Sequence, residues 1–286
     1  MTKVQVGVIG LGIMGTAMSQ RLLDAGLTVY GFDRDSSRAS ELIEHGGLWC
    51  EDLKSLVQHT DTIITSLPTA SALSSVISSL STIEEIHALT IIETSTLSVD
   101  DKSAARDLAT TFGAELLDCP LSGTGQQAKS GDLVAYLSGE SAAKSVAMGY
   151  LPSFTRAVYD VGRFGNGMKL KLIANHLVAV HNVAAAEALA LAHRAGLDLE
   201  ESLPALTDGA GTSRMLEIRG PLMIAGSFDP PTMRISTFQK DLNLILDMSR
   251  ETQALTPLFD TVALMYREAL EAGYGEQDTA AIYSAF

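Results

Sequence analysis

Val4-Gln5-Val6-Gly7-Val8-Ile9-Gly10-Leu11-Gly12-Ile13-Met14-Gly15 runs from an apolar, β-branched stretch straight into a G-x-G-x-x-G turn. The stretch reads as a strand over Lys3–Ile9, and the amphipathic segment Ile13–Ala25 reads as the helix that the turn opens. Glycine at 10 permits the tight turn, glycine at 12 lets the backbone approach a pyrophosphate, and glycine at 15 allows the helix to pack close to the strand. A helix start offers that pyrophosphate unpaired N–H groups. A lone glycine motif also marks ordinary turns, so its context decides. Here a carboxylate follows at the end of the next strand, Asp33 in Tyr30-Gly31-Phe32-Asp33-Arg34. A carboxylate there accepts hydrogen bonds from ribose hydroxyls and repels a 2′-phosphate, which favours NAD. Arg34 beside it and Arg38 one turn further on are both able to pair with a 2′-phosphate, so NADP stays open. The expected cofactor loop is Gly10, Leu11, Gly12, Ile13, Met14 and Gly15, with Asp33 and Arg34.

Working outward, short apolar runs alternate with helical patterns, the arrangement that builds a mostly parallel sheet covered by helices. Strands are expected at Thr28–Phe32, Thr62–Ser66, Thr90–Glu93, Ala114–Asp118, Leu133–Leu137 and Ala157–Asp160. Helices are expected at Ser37–His45, Ala70–Leu80, Val99–Thr111 and Ala142–Tyr150. Two further loops follow strands: Leu67-Pro68-Thr69 and Thr94-Ser95-Thr96. Ligands of open α/β sheets sit beyond the carboxyl ends of strands, so Leu67, Pro68 and Thr96 join the cofactor set. Taken alone, Pro68 is a turn residue and Ser95/Thr96 a helix-start signal.

From Gly165 the strand signal stops and helical patterns follow at Gly167–Ala195, Glu200–Leu206, Ser213–Ala225, Ser236–Glu251 and Pro257–Ala272. The shift predicts a Rossmann-type domain over residues 1–163 and an all-helical domain over 164–286. The first helix is alanine-rich and apolar nearly all round, as expected where it is surrounded by other helices or a second subunit. A homodimer or homotetramer is the expectation. His181, Asn182 and Glu187 interrupt its apolar run and would be costly in hydrocarbon, which argues against a membrane span.

Composition narrows the partners. The chain has 286 residues, 46% of them hydrophobic, enough for a large core or two. A formal net charge of −14 argues against the basic stripe that nucleic acid requires, so no nucleic-acid partner is expected. Two cysteines, Cys50 and Cys119, are too few for a disulfide framework and lack zinc-site spacing, so a reducing cytoplasm and no metal are expected.

The second chemical signal is a lysine. Lys171 and Asn175 are four residues apart and share one helix face, with Gly167 one turn before them. Beside a carbonyl being reduced, an ammonium donates a proton to the developing alkoxide; in reverse, the neutral amine takes the proton from an alcohol. A lysine followed one turn later by asparagine is ordinarily a solvated face, but this helix is otherwise apolar.

These residues resemble the β-hydroxyacid dehydrogenases, the family of 3-hydroxyisobutyrate dehydrogenase, tartronate semialdehyde reductase and the glyoxylate/succinic semialdehyde reductases. Val8-Ile9-Gly10-Leu11-Gly12-Ile13-Met14-Gly15 is similar to the N-terminal signature, and Asp118-Cys119-Pro120-Leu121-Ser122-Gly123 to the substrate-binding segment. Gly165-Asn166-Gly167 with Lys171 and Asn175 resembles the catalytic helix, and Lys240-Asp241-Leu242 a late Lys-Asp-Leu element. The resemblance runs nearly end to end. It implies hydride transfer between NAD(P) and a small hydroxy acid, with Lys171 as acid/base, Ser122, Gly123, Thr124 and Asn175 at the substrate, and Thr96 and Lys240 near the nicotinamide. Two positions depart from the pattern: Thr124 stands where the family has a second glycine, and Ala174 where it has the first of two asparagines. Thr124 is expected to add bulk and a hydroxyl to the substrate site. Imine reductases share the architecture but place another proton donor at the lysine, and a non-catalytic dinucleotide-bound module would have lost it.

Overall fold

The computed structural model describes residues 4–84, 86 and 88–286; Lys3, the expected start of the first strand, lies outside them. The chain divides into two compact units, Met1–Lys171 and Leu172–Phe286.

In the first unit, β1 (Gln5–Ile9), β2 (Thr28–Phe32), β3 (Leu48–Trp49), β4 (Thr62–Thr65), β5 (Thr90–Glu93) and β6 (Glu115–Asp118) form a parallel sheet in the order β3-β2-β1-β4-β5-β6. The expected Rossmann-type sheet is therefore present. Strands β4 and β5 are buried at every position, which is why they read as unbroken apolar runs rather than alternating ones. In β1 the two faces feed separate cores. Val6 and Val8 pack with Ala17, Met18 and Leu22, whereas Ile9 packs with Ile63, Ile77 and Leu80. The strand order reverses between β1 and β4, paired from Gly7↔Ile63 to Ile9↔Thr65. At such a reversal the two chains leave in opposite directions and open a crevice at the carboxyl edge.

The covering helices start where their caps dictate. α1 (Ile13–Asp24) opens at Gly12, and α2 (Ala39–Glu44) and the short α3 (Leu53–Val57) follow. α4 (Ala70–Leu80) is capped by Thr69 and buries Leu73, Ile77 and Leu80 along one stripe. α5 (Val99–Thr111) is capped by Ser98, whose hydroxyl accepts from Asp101 N at 3.0 Å, with two acidic residues in the first turn to suit its dipole. The expected Ser37–His45 helix is a 3₁₀ turn at Ser36–Arg38 followed by α2.

The strands expected at 133–137 and 157–160 lie outside the main sheet. β7 (Leu121–Ser122), β8 (Leu133–Leu137) and β9 (Thr155–Asp160) make a three-stranded sheet, antiparallel between β7 and β8 and parallel between β8 and β9. Between them lie α6 (Gly125–Lys129) and α7 (Ser141–Ala147). Strands β3 and β7 and helices α3 and α6 escaped sequence reading because two to five residues span too little of a period to display one.

α8 (Asn166–Arg194) starts in the first unit and continues into the second, where α9 (Leu199–Asp208), α10 (Arg214–Ala225), α11 (Ile235–Thr252) and α12 (Pro257–Ala269) follow. The expected continuation of the last helix to Ala272 instead passes into a π-turn at Leu270–Tyr274 containing Gly273 at φ +92°. By length and composition α8 is able to cross a membrane. Its start is packed within the first unit and its middle is held within the second, however. Asn182, fully buried, donates to the Tyr266 hydroxyl at 2.6 Å and to the Thr279 carbonyl at 2.8 Å. Burial pushes that Tyr266 hydroxyl up to about 12.

A second buried polar centre holds the end of this unit. The Asp278 carboxylate accepts from Thr232 N and Oγ1, both at 2.7 Å, from Ala280 N at 2.9 Å, and pairs with Arg219 at 3.4 Å. Burial opposes its charge, but these hydrogen bonds and the Arg219 guanidinium outweigh it and hold the carboxyl below its ordinary value of 3.8. Asp278→Ala would leave Arg219 buried and unpaired, an expected loss of about 3–5 kcal/mol. Because the folded-state pKa is depressed, this stabilisation is complete above pH ~4 and is lost as pH falls through the folded value. Urea unfolding of wild type and variant should therefore show a gap at neutral pH that narrows in acid.

Candidate active site

At the carboxyl edge of β1, the chain turns through Gly10, which sits at φ +90°, a region that favours glycine. A Cβ at Gly10 would strike the Ser66 carbonyl, and one at Gly15 would strike the Gly10 carbonyl. Gly12 differs: a Cβ there would meet no protein atom within 4 Å. The backbone at Gly12 therefore borders open space at the first turn of α1, where N–H groups are unpaired. That is the cradle a pyrophosphate needs, and the residues present fit it.

Asp33 closes this loop. Its Oδ2 accepts from Leu11 N at 2.7 Å and its Oδ1 from Asp35 N at 2.9 Å. The carboxylate is half-buried and has further lone pairs for ribose hydroxyls. Arg34 is exposed, and Arg38 lies 3.5 Å from Asp35. Ile13 is 75% exposed at the lip of the turn, while Leu11 is buried and Met14 half-buried. Beyond β4, Leu67 N donates to Ser95 Oγ at 2.8 Å, so the loops carrying Leu67-Pro68 and Ser95-Thr96 are joined.

Behind these loops lies a buried charge cluster that sequence reading missed. Lys102 on α5 is fully buried, with Nζ 2.7 Å from Glu93 Oε2 and 2.9 Å from Asp118 Oδ1. Glu93 Oε1 accepts from Ser95 N at 3.0 Å. Asp118 Oδ2 accepts from Ser138 Oγ at 3.0 Å and from Met168 N at 2.9 Å, and Ser138 Oγ accepts from Gly167 N at 3.1 Å. Burial works against the Lys102 ammonium, but the two carboxylates outweigh it and hold its pKa above the ordinary lysine value. The signal was present in the sequence: Lys102, Ala105 and Ala109 share the buried stripe of α5, and a lysine there demands a partner. Cys119 beside the cluster is fully buried, and burial pushes its thiol far up, so it is inert.

The segment expected at the substrate follows β6. Ser122 is half-buried on β7, paired with Val134. Gly123 sits at φ +139°, and a Cβ there would lie 2.6 Å from Leu133 Cδ2, so glycine is required. Thr124 is the N-cap of α6: its hydroxyl accepts from Gln127 N at 3.4 Å, and Gln127 Oε1 accepts from Thr124 N at 3.0 Å. The hydroxyl expected to be an addition to the substrate site is thus engaged in a capping box. Gln127, unremarked in the sequence, also donates to Asp132 at 3.0 Å.

On α8, Gly167 packs where a Cβ would lie 2.5–2.8 Å from the Tyr136 and Asp118 carbonyls. One turn on, Lys171 is only 8% exposed, far from a solvated face. In the second unit Asn175 is 4% exposed and donates from Nδ2 to Asp241 Oδ2 at 2.8 Å. Asp241 thus orients Asn175, a role sequence reading did not give it. Lys240 is exposed. His176 stacks on Phe259 at 4.8 Å, and burial, then His181, holds its pKa below the ordinary value. Among the described residues no group of three His, Cys, Asp or Glu is arranged to hold a metal ion.

A family model described as the NAD binding domain of 6-phosphogluconate dehydrogenase matches residues 5–162. Another, described as NAD-binding of NADP-dependent 3-hydroxyisobutyrate dehydrogenase, matches residues 165–286. The chain is 32% identical to an L-threonate dehydrogenase of Cupriavidus necator, over 98% of this chain and 95% of that protein. It is 30% identical to glyoxylate/succinic semialdehyde reductase 1 of Arabidopsis thaliana, over 99% and 98%. It is similar in structure to a 3-hydroxyisobutyrate dehydrogenase of Mycobacterium tuberculosis solved with L-serine, at TM-score 0.89 and 27% identity over 99% of both chains. An imine reductase from Pseudomonas sp. matches at TM-score 0.65 and 23% identity over 99% of both chains, a likeness of fold alone. With family models on both halves and full-length relatives of this kind, the chain belongs to the β-hydroxyacid dehydrogenase family of NAD(P)-dependent oxidoreductases.

Proposed function

We propose that the protein interconverts a small 3-hydroxy acid and its semialdehyde, with Lys171 as the general acid/base. The observation that carries this reading is the burial of Lys171 one turn beyond Gly167 on α8. The nicotinamide cofactor, when bound, takes up or returns a hydride at the carbon bearing the hydroxyl. In oxidation the Lys171 amine takes the hydroxyl proton; in reduction its ammonium returns that proton to the developing alkoxide. Ser122 Oγ and the backbone N–H at Gly123 are the donor types that hold a substrate carboxylate. Thr124, committed to its cap, shapes this segment rather than adding a free hydroxyl. Asn175, oriented by Asp241, serves the substrate hydroxyl, while Thr96 and Lys240 serve the nicotinamide end of the cofactor. NAD is the favoured form because the half-buried Asp33 carboxylate stands at the ribose end of the loop and opposes a 2′-phosphate.

The functional division is 1–163 for the dinucleotide and 164–286 for substrate handling and association. We place the protein in the cytoplasm as a homodimer or homotetramer. Both cysteines are free and buried, as a reducing compartment allows. Ile173, Leu177 and Leu191 are 51%, 49% and 69% exposed, and their spacing returns them to one face of α8. That stripe is the surface a second copy would cover.

A panel of L-threonate, 3-hydroxyisobutyrate, glyoxylate and succinic semialdehyde against both cofactors tests the activity. With the best substrate, Lys171→Ala should lower kcat ~10²–10⁴-fold and leave dinucleotide affinity nearly unchanged; turnover close to wild type would remove Lys171 from the chemistry. Gly12→Val and Gly15→Val should separate binding from folding. The first should weaken dinucleotide binding with only a small drop in melting temperature from the poorer N-cap, and the second should unfold the protein at much lower temperature because its side chain meets the Gly10 backbone. Leu177→Glu should shift the assembly toward monomer in sedimentation analysis, whereas an unchanged profile would place the contact elsewhere.

A further inference from the structure

We propose that Lys102 is a positioning residue for the reaction: by bridging Glu93 and Asp118 it sets the first turn of α8, and so the place of the Lys171 amine. This rests on the reading of Lys171 as the acid/base group.

The connections form one continuous chain within the first unit. Leu67 N donates to Ser95 Oγ and Ser95 N to Glu93 Oε1, while Lys102 Nζ forms an ion pair with Glu93 Oε2 and donates to Asp118 Oδ1. From Asp118 Oδ2 the chain passes to Met168 N, and through Ser138 Oγ to Gly167 N. Glu93, Lys102, Asp118 and Ser138 are all fully buried. Two of the N–H groups that a helix leaves unpaired at its start are thereby held by side chains fixed to β6 and β8. The cluster carries two carboxylates against one ammonium, and the excess negative charge faces the positive end of α8, where it is stabilised. Without Lys102, Asp118 stays buried but loses the ammonium that offsets its burial, whether position 93 carries a carboxylate or its amide, and takes up a proton or swings away. Either change removes a charged acceptor from Met168 N, one turn before Lys171. A displacement of about 1 Å at a reacting group costs on the order of 10²-fold in rate.

The test is the double substitution E93Q/K102M, which removes one charge of each sign and retains a side-chain carbonyl oxygen at position 93 for Ser95 N. Three quantities are read: kcat with the best substrate of the panel, the Kd for NADH by fluorescence titration, and amide hydrogen exchange over residues 165–171 against β4. The expected result is a kcat lowered ~10- to 100-fold, exchange in 165–171 faster by ~10-fold or more, and both the Kd and the β4 exchange within about threefold of wild type. A loss of kcat without faster exchange at 165–171 overturns the proposal, as does faster exchange with kcat preserved, or neither change. Should the double variant not fold, Lys102→Arg carries the same readouts, since it keeps the charge but changes the reach that joins Glu93 to Asp118. If wild type turns over nothing in the panel, the proposed substrate class fails on its own, and the exchange data still decide whether Lys102 seats α8.

Discussion

The structure of the first unit depends on how a parallel sheet disposes of charge at its carboxyl edge. Glu93 and Asp118 end neighbouring strands β5 and β6, paired Glu93↔Asp118 in register, and both are shut away from water. Two adjacent buried carboxylates are untenable alone, and Lys102 reaches from α5 to neutralise them at 2.7 and 2.9 Å. A hydrophobic replacement of such a cluster is frequently no less stable, so its presence points to specificity of placement. The cluster is bonded to the loop after β5 through Ser95 N and to the first turn of α8 through Met168 N and, by way of Ser138, Gly167 N.

The glycine turn obeys a different constraint, that of backbone against backbone. Gly10 and Gly15 are required by atoms already in the protein, Ser66 and Gly10 carbonyls respectively. Gly12 meets no such neighbour, and a Cβ there would face open space. Asp33 joins this loop to the end of β2 with a charge-assisted bond to Leu11 N. The loop is thereby shaped before any dinucleotide arrives, which lowers the ordering cost of binding.

The segment after β6 shows how a departure from a family pattern is absorbed. Thr124 and Gln127 arrive together as a reciprocal cap, each satisfying the other's backbone N–H. The change stiffens the start of α6 beside Gly123, and it does so without placing a free hydroxyl there. The second unit uses the same device at Asp278, where one carboxylate gathers Thr232, Ala280 and Arg219.

What the sequence determined alone was whatever repeats with a period or sits in a local motif. The strands Thr28–Phe32, Thr90–Glu93 and Leu133–Leu137, the helices Ala70–Leu80 and Val99–Thr111, and the G-x-G-x-x-G turn with Asp33 were legible, because each draws on neighbours within a few residues. Only the tertiary structure decided that β8 and β9 leave the main sheet, that Lys102 bridges Glu93 and Asp118, and that Asp241 orients Asn175. Lys102 lies 9 and 16 residues from its carboxylates and Asn175 lies 66 from Asp241, and a lysine or aspartate carries no mark of which group beyond its own element will neutralise it. Local geometry is written in spacing, whereas the pairing of buried charges is chosen by which strand ends and helix faces the fold brings together.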